Sequence, residues 1–178
     1  MFTGGILTVS DKGSRGERQD KSSKVIRKCL TPLEIHWERY EIVPDERESI
    51  ESKLREWADE ANLDLILTTG GTGLSPRDIT PEATLAILDK VALGFAEVMR
   101  IETLKKTPLA MLSRAVAGIR KNTLIINLPG SPKAVEECLE VILPALSHAI
   151  ETLRGEAIEC ASREILSYKE DKVIHHAH

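Results

Sequence analysis

Short apolar runs alternate with longer amphipathic stretches along the chain. Gly4 to Ser10 is a continuous apolar run that ends in polar residues, predicting a strand covered on both faces. A polar loop from Asp11 to Gln19 carries Gly13 and Gly16. Asp20 is then placed to cap a helix with Val25, Ile26, Cys29 and Leu30 at helical spacing. The alternation repeats with a β-branched and aromatic segment, Ile35 to Val43, and a helix opening at Asp45 with Ile50, Leu54, Trp57, Ala58 and Ala61 on one stripe. Leu63 to Thr68 reads as a third strand. A helix begins near Thr80-Pro81-Glu82 with Pro81 in its first turn, and Gly94 to Lys106 reads as another. Arg114 to Arg120 is a short strand and Thr123 to Asn127 a buried one. A final helix runs from Ser131 to Arg154, where Pro144 is expected to kink or divide it.

Repeated strand-helix units predict an α/β fold, a single domain with a mostly parallel sheet and helices on both faces. With 178 residues one core is the default, and no internal repeat or linker separates a second. The domain is expected to span residues 1–160. Residues 161–178 form a C-terminal extension that thins into Lys169-Glu170-Asp171-Lys172, ends His175-His176-Ala177-His178, and is expected to be mobile at its end. Its histidines read as a solvated tract that picks up metal adventitiously.

Composition narrows the function classes. The 24 Lys and Arg against 28 Asp and Glu give a net charge of -4, no general field for a polyphosphate backbone, and aromatics are only 3% of the chain. A nucleic-acid partner is therefore not expected. No apolar stretch approaches the ~18 residues that span a bilayer, and no secretory leader pattern precedes the first strand, so a cytoplasmic location without membrane association is expected. Cys29, Cys138 and Cys160 lack metal or redox spacing and read as buried thiols.

In an open parallel sheet, ligands bind beyond the carboxyl ends of the strands. Three loops share that end: Ser10-Asp11, Thr69-Gly70-Gly71-Thr72-Gly73 and Asn127-Leu128-Pro129-Gly130-Ser131-Pro132. The glycines let backbone amides approach a phosphate, with Thr69 and Thr72 as hydroxyl donors; a tight turn needing positive φ is the commoner explanation of a lone glycine cluster, but the two hydroxyls and a second glycine-containing strand end favour the ligand. Neither the P-loop pattern nor Gly-x-Gly-x-x-Gly is present. Asp45 and Asp78 each read singly as a helix cap or Asx-turn residue. Together they suit Mg²⁺, which takes a few carboxylate oxygens plus substrate phosphates.

Four segments carry a resemblance: Gly5 to Asp11; Thr69 to Gly73 with Ser75-Pro76-Arg77-Asp78-Ile79-Thr80-Pro81-Glu82; Met111-Leu112-Ser113-Arg114; and Asn127 to Pro132. In this order, over residues 5–154, the chain resembles the molybdopterin adenylyltransferases of molybdenum cofactor synthesis. The resemblance implies a molybdopterin-binding fold that forms homotrimers. It implies transfer of AMP from ATP to the terminal phosphate of molybdopterin with release of pyrophosphate, and hand-over to a molybdenum-insertion protein. By motif it makes Asp45 and Asp78 the catalytic carboxylates and Mg²⁺ ligands. Ser10, Asp11, Thr69, Gly70, Gly71, Thr72, Gly73, Ser113 and Arg114 then bind substrate, with Ser113 and Arg114 beside the pterin phosphate. Asn127, Leu128, Pro129, Gly130, Ser131 and Pro132 flank the nucleotide. Ser23 stands where the family usually has glycine. The competing readings are a non-catalytic molybdopterin-binding or scaffold module on the same fold and, further off, a nucleotide-sugar or phosphate-ester enzyme that converged on the same loop.

Overall fold

Side chains of a strand point alternately to opposite faces, and here the two faces feed two separate cores. A computed structural model describes residues 1–156. In β1 (Thr3–Val9), Ile6 packs to one side while Leu7 and Val9 pack to the other. The Ile6 side continues through Leu65, Leu67, Leu124 and Ile126 to Ile26, Met99, Val135, Leu139 and Ile142 on three helices. The Leu7 side meets Ile50, Leu54, Trp57, Ala83 and Ile87. Both faces of the central strands are covered, which is why those strands read as unbroken apolar runs.

Six strands form one sheet in the order β2-β1-β3-β6-β5-β4. β2 (His36–Val43), β1, β3 (Leu65–Thr69) and β6 (Thr123–Leu128) are parallel, whereas β5 (Ala117–Arg120) and β4 (Lys90–Val91) run antiparallel at one edge. The expected α/β architecture is present. Its helices are α1 (Asp11–Ser14), α2 (Ser22–Cys29), α3 (Arg47–Asp59), α4 (Thr80–Leu85), α5 (Leu93–Leu104) and α6 (Pro132–Arg154), with 3₁₀ turns at Thr31–Leu33 and Pro108–Leu112. The chain leaves β1 toward β2 on one side and leaves β3 toward β6 on the other, so a crevice opens between the carboxyl ends of β1 and β3.

Several boundaries differ from the pattern-based expectation. The polar loop after β1 contains one helical turn, because the Ser10 hydroxyl caps it by accepting from the Gly13 amide at 3.1 Å. α3 starts at Arg47 rather than Asp45, whose carboxylate reaches across to the first loop. The strand expected from Arg114 starts at Ala117, since the Arg114 amide is drawn to the Thr72 carbonyl at 2.9 Å. β4 has two residues, too few to leave a periodic signal. Pro144 does not divide α6, which runs unbroken for 23 residues. Pro144 and Glu140, whose carbonyl loses its intrahelical donor, both face solvent, where water can satisfy that carbonyl. Residues 157–178, with Cys160, the charged extension and the histidine tract, lie outside the described residues.

At the sheet end opposite the crevice, Asp64 ties the start of β1 to the end of α6. Its carboxylate accepts from the Thr3 amide at 2.6 Å, the Thr3 hydroxyl at 2.8 Å and the Arg154 guanidinium at 2.7 and 2.6 Å. Burial alone would raise this carboxyl, but these donors outweigh it and hold it below the usual aspartate range. A lowered folded-state pKa contributes stability at neutral pH that is lost as pH falls through the ordinary aspartate range toward the folded value. Asp64→Asn is therefore expected to cost about 2–4 kcal/mol at pH 7. In urea titrations its deficit against wild type should shrink on acidification.

Candidate active site

The loop after β3 is shaped by two glycines in the left-handed region, Gly70 at φ 99° and Gly71 at φ 63°. A Cβ on Gly70 would collide with the Val9 carbonyl oxygen, and one on Gly71 with the Thr80 hydroxyl and, at 3.0 Å, with Asp45 Oδ1. The Thr80 hydroxyl donates to the Gly70 carbonyl at 2.9 Å and the Thr80 amide to the Gly71 carbonyl at 3.1 Å, fastening the loop to the start of α4. The amides of Gly71, Thr72 and Gly73 donate to no acceptor among the described residues. The loop after β6 closes from the other side. Thr69 Oγ1 donates to the Pro129 carbonyl at 2.7 Å, and the Ser22 hydroxyl donates to the Gly130 carbonyl at 2.9 Å. Ser131 caps α6 by accepting from the Ala134 amide at 3.2 Å, with Pro132 in the first turn, so the helix's positive end faces the crevice.

Two cavities meet here. One, of about 620 Å³, is walled by α5, the Pro108–Leu112 turn and the start of α6, and is lined by Ala96, Met99, Leu109, Leu112, Ser113 and Cys138. The other, of about 950 Å³, is more polar and includes Ser10, Asp20, Ser22, Asp45, Thr69 and Pro132. Gly71, Asp78, Gly130 and Ser131 belong to both. The Cys138 thiol is pushed up to about 11 by burial, which keeps it protonated and unreactive at neutral pH; Cys29 is half-buried.

The carboxylates lie between the loops. Asp45 Oδ2 accepts from the Asp11 amide at 2.8 Å, and Asp11 Oδ1 accepts from the Asp45 amide at 3.1 Å. Arg77 holds Asp11 through two bonds at 3.0 and 2.8 Å, which lower its pKa. Asp45 moves the other way: burial raises its pKa, and the charges of Asp11 and Asp78 add to the rise. Asp78 Oδ2 accepts from the Ser75 amide at 3.1 Å, reaching back three residues rather than two residues on as an Asx-turn would, and lies where a side chain on Gly73 would go. Asp45 is no helix cap. Among the described residues no cluster of three or more His, Cys, Asp or Glu groups has metal-ligand geometry.

Not every residue expected at a ligand faces a cavity. Asn127 is fully buried, its amide donating to Thr68 Oγ1 and Thr84 Oγ1, each at 2.9 Å, and Leu128 belongs to the core. Arg114 lines neither cavity; it runs beneath the glycine loop. Pattern reading treated Asp20 only as a cap. Asp20 Oδ1 does accept from the Ser22 and Ser23 amides at 2.9 and 3.1 Å, but Oδ2 also accepts from Thr8 at 2.6 Å and Tyr40 at 3.0 Å, so Asp20 shapes the polar cavity. Arg100 and Lys133 on the apolar cavity were also missed; scattered basic residues on helices carry no local signature.

The family described as "Probable molybdopterin binding domain" matches residues 5–148. A molybdopterin adenylyltransferase of Helicobacter pylori is 45% identical over 170 residues, 93% of this chain and 95% of that protein. The molybdenum cofactor synthesis protein cinnamon of Drosophila melanogaster is 43% identical over 150 residues, 84% of this chain but 25% of its own length. The crystal structure of the molybdopterin biosynthesis enzyme MoaB from Thermus thermophilus superposes with a TM-score of 0.83 at 57% identity, covering 87% of this chain and 98% of that one.

Gly71 supplies a direct test of the cradle. Gly71→Ala would place a methyl group against Thr80 and Asp45 in a backbone conformation that disfavours it. Binding of a phosphate-bearing substrate should weaken by about 1–3 kcal/mol in titration calorimetry. Unchanged affinity would mean that these glycines serve only the turn.

Proposed function

The chain belongs to the molybdopterin-binding family of cofactor biosynthesis, and from that membership we propose that it is a Mg²⁺-dependent molybdopterin adenylyltransferase acting in the cytoplasm. A phosphate oxygen of molybdopterin attacks the α-phosphorus of ATP, the bond to the β-phosphate breaks, and pyrophosphate leaves. The observation that carries this reading is the meeting of an apolar and a polar cavity at Gly71 and Asp78, which suits one flat heterocycle and one nucleotide joined through phosphate. The apolar cavity takes the pterin, with Ser113 toward its phosphate. The polar cavity takes ATP against Ser10, Thr69 and Gly70, flanked by Gly130, Ser131 and Pro132. The amides of Gly71, Thr72 and Gly73 and the start of α6 stabilise charge that builds on the transferring phosphate.

Asp45 and Asp78 would hold Mg²⁺. Asp45 fits that role because burial and the neighbouring Asp11 and Asp78 already disfavour its negative charge, an excess that a dication relieves. When bound, the ion neutralises phosphate oxygens and orients them for in-line displacement. Asp11 and Arg77 set the position of Asp45 through the paired bonds between the two loops.

Exposed apolar side chains on α5 and the following turn, Leu93, Ile101, Leu109 and Met111, support assembly as a homotrimer, since such patches on soluble domains mark interaction surfaces. Sedimentation equilibrium should return three times the 19.7 kDa chain mass; a monomer at micromolar concentration would remove this assignment.

Pyrophosphate release from ATP that depends on added molybdopterin separates the enzyme from a binding or scaffold module. Asp78→Asn and Asp45→Asn should each lose that release by on the order of 100-fold or more while remaining folded. Because the Asp45 pKa is raised, its charged form costs the fold stability above the ordinary aspartate range, so Asp45→Asn should melt no lower than wild type at pH 7. Near-normal turnover by either variant at saturating substrates would withdraw its assignment.

A further inference from the structure

Near the two cavities, Arg114 commits all three of its guanidinium nitrogens to acceptors within the protein. Its Nε donates to the Gly73 carbonyl at 2.7 Å and its Nη2 to the Asp78 carbonyl at 2.8 Å. Its Nη1 donates to Glu82 Oε1. Its main-chain amide donates to the Thr72 carbonyl at 2.9 Å. One residue therefore grips the glycine loop at two consecutive carbonyls and the catalytic aspartate at a third. Glu82, in the first turn of α4, fixes the guanidinium from behind.

The geometry points to Arg114 and Glu82 as a positioning pair that sets the spacing between the amides of the glycine loop and the carboxylate of Asp78. This inference deepens the adenylyl-transfer reading and rests on it; it also moves Arg114 from substrate ligand to the clamp beneath the ligand. The Thr72 and Gly73 carbonyls are engaged by Arg114, which lines neither cavity, and the amides of Gly71, Thr72 and Gly73 are left without a protein acceptor among the described residues. Pulling carbonyls backward with a cation is how a short loop can present successive amides in one direction. The planar guanidinium spreads its donors over three nitrogens in a fixed fork, matching acceptors set apart from one another, whereas an ammonium gathers its three donors on one atom at the end of a flexible stem. Glu82 contributes one oxygen to this fork. Its second oxygen, Oε2, is buried and meets no partner, so the carboxylate is held by Arg114 alone among the described residues. Glu82 touches neither cavity, so whatever it does for the reaction it does through Arg114.

Three variants test the pair: Arg114→Lys, Glu82→Ala and Glu82→Gln, the last keeping an acceptor for the guanidinium. The expected result is that Arg114→Lys and Glu82→Ala bind ATP and molybdopterin within about 3-fold of wild type in calorimetry, yet lose roughly 10- to 100-fold in kcat. Glu82→Gln should recover most of the rate lost in Glu82→Ala. In hydrogen exchange, the amides of Ser75, Asp78 and Thr80, which close the loop, should exchange faster in the two impaired variants, with those of β1 unchanged. A rise of about 10-fold or more in the molybdopterin Kd of Arg114→Lys at near-normal kcat would make Arg114 a substrate ligand and overturn the proposal. So would a lowered Tm with faster exchange throughout the sheet and a normal rate per folded molecule, which is a scaffold role. Should wild type release no pyrophosphate, the adenylyl-transfer reading fails. The exchange contrast between loop and strand then still decides whether the clamp exists.

Discussion

The site depends on how closely backbone approaches backbone at Gly70. Its Cα lies so near the Val9 carbonyl that no side chain fits, while a Cβ on Gly130 would reach it at 3.3 Å from the other side. The ends of β1, β3 and β6 are thereby packed to backbone contact, and the Gly70 amide donates to the Leu128 carbonyl at 3.2 Å. Any larger residue would force those ends apart and disturb the loops they carry. Parallel pairing brings the strand ends to one edge; the absence of a Cβ lets their loops share one site.

Charge is distributed unevenly around that point. Asp11, Asp45 and Asp78 stand close together, but only Asp11 has a full counter-ion, Arg77, among the described residues. Arg114, near Asp78, uses its guanidinium on backbone carbonyls and on Glu82 rather than on the Asp78 carboxylate. The result is a pocket floor that retains unneutralised negative charge beside a ring of unpaired amides and a helix N-terminus. Such a juxtaposition of acceptors for a cation and donors for an anion suits a metal-phosphate pair better than either alone. The fold tolerates the cost because large apolar cores on both faces of the sheet supply its stability.

Much of this was legible in the sequence, and the failures share a cause. Apolar runs located the central strands, and turn residues with the strand-helix order put the three loops at one end. The side-chain direction inside a motif was not legible from adjacency alone. Asn127 and Leu128 sit in the same run as Pro129 and Gly130, yet both are still in the strand, where alternation turns Leu128 toward Ile126 and Val135 and Asn127 toward Thr84 on α4. Asp45 looked like a cap because it precedes a helix. Its carboxylate instead serves a loop 34 positions earlier in sequence, a long-range partner that no local rule reveals. The resemblance places Arg114 beside the pterin phosphate; its guanidinium also has three carbonyl or carboxylate partners within the protein, each more than 30 positions away in sequence, which no local pattern shows.

The helix α6 joins the two poles of the molecule. It starts at the cavities with Ser131 and, at ~1.5 Å per residue, carries the chain to Arg154, whose guanidinium donates to the Met1 carbonyl at 3.1 Å. Met1 and the end of α6 are thus neighbours, on the side of the sheet farthest from the crevice. The backbone at Met1 and at Gly155 therefore stands at that far pole, away from the loops. A folded unit whose first strand and long closing helix meet at one pole can be concatenated with further sequence while keeping its pocket intact. This architecture therefore suits reuse as a module, in keeping with a Drosophila relative of which the shared stretch makes up 25%.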